Sequence, residues 1–76
     1  MMEFDVELDV RNLACPLPIL RCKKSLSTMA SGQVLYIRAT DQAAPKDFEV
    51  FCRQTGNTLL ASNEKEDIYH FFIRRR

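Results

Sequence analysis

The chain has 76 residues, enough for one small domain and no second. Eleven basic and ten acidic side chains leave a formal net charge of +1, so no whole-molecule attraction to nucleic acid or membranes is expected. The 46% hydrophobic content is that of a globular core, and no apolar run approaches the ~20 residues needed to span a bilayer.

The N-terminus, Met1-Met2-Glu3-Phe4-Asp5, is acidic where a signal peptide would be basic, which predicts a cytoplasmic protein. From Phe4 to Val10 the sequence alternates, with Phe4, Val6, Leu8 and Val10 on one side and acids on the other, the pattern of a half-buried strand. Arg11-Asn12-Leu13-Ala14 is a short connection in which Asn12 suits a left-handed backbone. A helix is predicted from about Pro16 to Ala30, because proline suits a first turn whose N–H groups have no intrahelical partner. Ile19, Cys22, Leu26, Met29 and Ala30 would form its core stripe, with Arg21, Lys24 and Ser25 outward and Ser31-Gly32 as its stop.

Gln33 to Thr40 predicts a second strand with Leu35, Ile37 and Ala39 towards the helices, parallel to the first through a right-handed crossover. Asp41-Gln42-Ala43-Ala44-Pro45 leads into a second helix, where Asp47 complements the dipole. Phe48, Phe51, Cys52 and Thr55 share its inner face, and Gly56 ends it. Asn57–Ser62 and Asp67–Ile73 form a hairpin around Asn63-Glu64-Lys65-Glu66, with His70 on the face of Ile68 and Phe72. Arg74-Arg75-Arg76 is expected to be a solvated end. This order predicts an α/β (α+β) two-layer βαβαββ sandwich, with two helices on one face of a four-stranded mixed sheet.

The chemistry centres on Cys15, in Leu13-Ala14-Cys15-Pro16-Leu17-Pro18. A thiol at a helix mouth meets about half a positive charge, which favours the thiolate and predicts a lowered pKa. Pro16 and Pro18 stiffen its approach, and Arg11, Arg21, Lys23 and Lys24 lie nearby in sequence. Three cysteines, an odd number, argue against a disulfide framework. Cys15 and Cys22 on one helix would stand roughly 10 Å apart, beyond the about 7 Å a disulfide allows. Cys22 and Cys52 read as core residues, and neither a metal-ligand cluster nor a cofactor motif stands in the sequence. On these residues Cys15 reads as a site of sulfur chemistry, and two further readings stay open: a thiol redox sensor needing a resolving thiol, and a regulatory or nucleic-acid-binding module using the basic helix or the arginine end.

The chain resembles the TusA/SirA-like sulfur-carrier family over nearly its whole length. The resemblance rests on Leu8-Asp9, Cys15-Pro16-Leu17-Pro18, the basic Arg21, Lys23 and Lys24, then Gly32, Asp41 and Phe51-Cys52. It implies the two-layer fold and a persulfide carried on Cys15, with a carrier's role rather than that of a turnover enzyme. It also implies a cysteine desulfurase or rhodanese-type sulfur donor and a downstream acceptor protein, towards tRNA thiolation, cofactor assembly or other sulfur trafficking. Pro16, Pro18, Asp9 and Asn12 would support the cysteine; Asp9 and Asp41 stand at strand ends that could flank it, and both read first as turn and cap residues. Arg21, Lys23, Lys24 and Asp41 would be available to a docking partner, with Arg53 as a further basic candidate. Asn12 departs from the family's glycine at that place, though asparagine tolerates the same backbone.

Overall fold

The computed structural model describes residues 3–76, in the order β1 (Val6–Val10), α1 (Leu17–Ser27), β2 (Val34–Ala39), α2 (Ala44–Thr55), β3 (Thr58–Lys65) and β4 (Ile68–Arg74). Met1 and Met2, part of the acidic N-terminus noted above, lie outside the described residues. The strands form one sheet in the order β1-β2-β4-β3, with β1 and β2 parallel and β4 antiparallel to both its neighbours. This is the expected two-layer sandwich.

Alternation decides which side chains meet the helices. Leu35, Ile37 and Ala39 of β2 pair across the sheet with Val6, Leu8 and Val10 on one side and with Ile73, Phe71 and Tyr69 on the other. Together with Cys22, Leu26 and Met29 from the first crossover and Phe48, Phe51 and Cys52 from α2, these residues make the core. Phe48 and Phe71 are fully buried, their ring centroids 4.7 Å apart. Burial of such surface at about 25 cal/mol per Å² is the main stabilising contribution in a domain this small.

The opposite face carries Tyr36, Arg38, His70 and Phe72. Phe4 belongs there as well, its ring tilted against Tyr36 at 5.0 Å between centroids, and not with Val6, Leu8 and Val10 as its alternation predicts. The strand starts only at Val6, and the chain bends at Asp5, whose N–H and carboxylate both bond Val34. That bend resets the period.

The helix boundaries shift for reasons visible in the hydrogen bonds. Pro16 is the N-cap of α1 rather than its first helical residue, and Pro18 sits in the first turn. At the other end α1 stops at Ser27, three residues short of Ala30, and Gly32 lies beyond it in the turn before β2. The Ser27 and Thr28 hydroxyls donate to the carbonyls of Lys24 and Ser25 at 2.6 and 2.8 Å, competing with further helical turns. Arg75 Nε donates to the carbonyl of Leu26 at 2.8 Å. Met29 remains buried beyond the helix, whereas Ala30 is exposed and Ile19 only half-buried.

Two further expectations are corrected at the chain's end. The hairpin turns at Glu66-Asp67, with β3 continuing to Lys65. Both turn residues have positive φ, 55° and 65°, as a two-residue turn needs to match the strand twist. Nor is the arginine end free: Arg74 closes β4, Arg75 exchanges backbone bonds with Gly32 and Gln33, and Arg76 N–H donates to Asn57 Oδ1 at 3.0 Å. Arg75 is half-buried, fastening the last residues to the end of α1.

Replacing Arg75 by Ala removes the charged donor from Leu26 and should cost about 1 kcal/mol, lowering the thermal midpoint by about 4–8 °C. An unchanged midpoint would show that the contact contributes nothing to stability. Putting Asn-Gly in place of Glu66-Asp67 should raise the midpoint, since both residues now hold a backbone that costs ordinary side chains about 1 kcal/mol each. A lower midpoint would show that the two carboxylates make contacts worth more than that strain.

Candidate functional site

The site forms where the parallel strands β1 and β2 end side by side, so the loops leaving them meet. In the first loop Leu13 N–H bonds the carbonyl of Val10 at 3.3 Å, and Asn12 takes the left-handed conformation expected of it, φ 67°. In the second, Thr40 Oγ1 accepts the Asn12 N–H and an Asp41 carboxylate oxygen accepts the Cys15 N–H, both at 2.8 Å. The other Asp41 oxygen accepts the N–H of Ala43 at 3.2 Å, ahead of α2. Two side chains at the end of β2 thus hold the backbone that carries the cysteine.

Cys15 itself is exposed, one residue outside the N-cap of α1. The carboxylate of Asp47, in the first turn of α2, favours the protonated thiol, and this is the main cause of a pKa raised above the ordinary thiol value. Desolvation and the charges of Asp47 and Asp41 push in the same direction. The lowered pKa expected at a helix mouth is therefore corrected. Prolines at positions 16 and 18 bring no N–H to that mouth, and the N–H groups of Leu17 and Leu20 go to the carbonyls of Ala14 and Pro16. A depleted helix end faces whole carboxylate charges, and the carboxylates win.

The remaining candidates divide clearly. Asp9 grips Arg11 through both carboxylate oxygens, at 2.9 Å each, and accepts its N–H at 3.1 Å. That bonding holds the Asp9 pKa down, at about 2, and makes Asp9 a turn residue rather than a partner of the thiol. Arg21, Lys23 and Lys24 are exposed on α1, while Arg53 faces Glu49 one helical turn away at 4.0 Å. Cys22 and Cys52 are buried, as expected, and burial pushes their thiols up to about 12 and about 11. Among the described residues, no group of three or more His, Cys, Asp and Glu side chains could hold a metal ion. Nor is any helix long and apolar enough to cross a membrane.

Sequence reasoning missed three contributors. Asp47 was assigned only to the helix dipole, and Thr40 had no role. The useful signal was topological: in a parallel pair joined by a crossover, both helices begin at the same edge of the sheet, so the first turn of α2 faces the mouth of α1. The third is an apolar pair, Leu17 and Leu20, 44% and 52% exposed and one turn apart beside Cys15. They are the large apolar side chains most open to solvent among the described residues.

The family model for sulfurtransferase TusA matches residues 6–75. The chain is 53% identical over 75 residues to the sulfur carrier protein TusA of Allochromatium vinosum, covering 99% of both chains. It is 39% identical over 74 residues to the putative sulfur carrier protein YrkI of Bacillus subtilis, covering 97% of this chain and 99% of that one. A SirA-like protein from Desulfitobacterium hafniense has the same fold, with a TM-score of 0.82 at 19% identity over 92% of this chain and 96% of that one. With a family match over almost every residue and relatives aligned end to end, this chain belongs to the TusA family.

Proposed function

We propose that the protein is a sulfur carrier that takes a sulfane sulfur on Cys15 as a persulfide and passes it to a partner's cysteine. The observation that carries this reading is the arrangement of the three thiols: Cys15 exposed and held by its backbone, Cys22 and Cys52 sealed in the core. In loading, Cys15 Sγ attacks the outer sulfur of a donor persulfide. One S–S bond forms and one breaks, the donor leaves as a thiolate, and the Cys15 proton, first held by Asp47, ends on that departing sulfur. Unloading is the same exchange with an acceptor thiolate attacking the outer sulfur of the Cys15 persulfide. The donor is a cysteine desulfurase or rhodanese-type protein, and the acceptor belongs to a relay of the kind that ends in tRNA thiolation or other sulfur trafficking. The protein is a carrier rather than a turnover enzyme, working in the cytoplasm beside such partners. Leu17 and Leu20 offer a partner apolar footing next to the sulfur, with the exposed cations of α1 behind them. A redox sensor would need a second thiol within reach of Cys15, and both others are buried.

The test is intact-mass spectrometry of the reduced protein after incubation with a cysteine desulfurase and cysteine. Wild type should gain one sulfur mass that a reductant removes, and Cys15→Ser should gain none while keeping its fold. A gain that survives in the variant, or no gain in either, would sink the proposal.

The carboxylates make a second, pH-dependent prediction. Because Asp47 stabilises the protonated thiol, the alkylation rate of Cys15 should rise with pH to a midpoint above that of an ordinary thiol. Asp47→Asn removes the anion and should move the midpoint down, speeding alkylation at neutral pH. The corresponding contribution to stability is present at neutral pH and is lost only as pH rises through the raised pKa. An alkylation midpoint that Asp47→Asn leaves unmoved would show that this carboxylate does not hold the proton.

A further inference from the structure

The ends of α1 and α2 remote from Cys15 enclose, with the last residues of the chain, a groove of about 260 Å³. Leu26 and Phe51 form its apolar floor, and Lys23, Arg75 and Arg76 stand around it with no acidic side chain among its walls. Two of these cations are fixed in place. Arg75 is held by its bond to the Leu26 carbonyl, and Arg76 by its N–H to Asn57 and by a side chain lying over Gly56, where an added Cβ would be 3.5 Å from its Cδ. The ion pairs among the described residues use Arg11, Arg38 and Arg53, so the groove's three cations have no carboxylate partner there. Positive charge has been gathered and left unpaired above an apolar floor.

The size and lining restrict the occupant. The volume lies below the roughly 300–1,000 Å³ of sites that enclose whole small molecules, and suits one or two side chains. Single-stranded nucleic acid would want an open aromatic face for stacking, and Phe51 is 93% covered. We propose that this groove seats an acidic segment of a partner protein, with an apolar side chain over Leu26 and Phe51 and flanking carboxylates against Lys23, Arg75 and Arg76. The inference rests on the carrier reading. α1 spans ~15 Å between the two sites, so a partner anchored here leaves Cys15 free to reach a thiol, and the second contact raises its effective concentration.

The experiment is an NMR titration of the full chain with a blocked Glu-Glu-Leu-Glu-Glu peptide. A peptide with Gln for Glu and a pentauridine RNA serve as competitors in kind. The acidic peptide should shift the amides of Lys23, Ser27, Asn57 and Arg76, and its binding should weaken as salt is raised. A Lys23→Glu/Arg76→Glu variant, changed at two exposed side chains while the half-buried Arg75 is kept, should bind at least about tenfold more weakly with its amide spectrum otherwise intact. Shifts centred elsewhere, equal binding of the Gln peptide, or tighter binding of the RNA at the same amides would each overturn the proposal. Loading of sulfur from inorganic polysulfide separates the two readings. An Arg76→Glu variant should load as wild type does, and Cys15→Ser should bind peptide but not load. Peptide binding without loading in wild type would overturn the carrier and keep the groove; loading without peptide binding would do the reverse.

Discussion

The bond between the Asp41 carboxylate and the Cys15 N–H joins the two halves of the site, and the geometry of the sulfur depends on it. A loop of six residues between β1 and α1 has no ladder of its own to keep it in place. Thr40 and Asp41 supply one from the neighbouring strand end, at two successive points. Parallel pairing makes this possible, because it is what sets the ends of β1 and β2 side by side. Core packing then holds the frame: Val10, the last residue of β1, is fully buried against Ala39, the last of β2. The cysteine is exposed but its backbone is pinned.

The same carboxylates shape the chemistry. A carrier waiting between partners with its thiol ionised would be open to oxidation, since the thiolate is the reactive form. Asp47 keeps the proton on Cys15, and the two buried cysteines cannot trap the sulfur by attacking it from within. On the function proposed above, a persulfide on Cys15, more acidic than the thiol, would be anionic more readily, and Asp41 and Asp47 would then repel it. On that proposal the arrangement would favour a resting thiol and a sulfur that leaves, suiting a relay better than storage.

Much of the architecture was legible because small α/β domains announce themselves through period. Alternation marked β1, helical spacing put Cys22 and Cys52 in the core, and Gly56 marked the end of α2, where its backbone is left-handed. What the sequence hid were competitions between local and distant bonds. Nothing local says that Arg75 reaches back to Leu26, 49 residues away, or that Glu66-Asp67 rather than Asn63-Glu64-Lys65-Glu66 makes the turn. At the site, Cys15 and Asn12 could be found from their neighbours in sequence. The sign of the thiol shift could not, because it depends on which residue of α2 faces the mouth of α1.

The contrast among the three cysteines has a practical side. Cys22 and Cys52 lie under the helices at 0% and 4% exposure, with thiols that ionise only in strong alkali. A maleimide dye or a nitroxide spin label added to the native chain near neutral pH therefore attaches at one place, with no engineered cysteine-free background. That place is the mouth of α1, so on the proposed carrier role the reporter would stand where a partner arrives, and its mobility would read out each encounter.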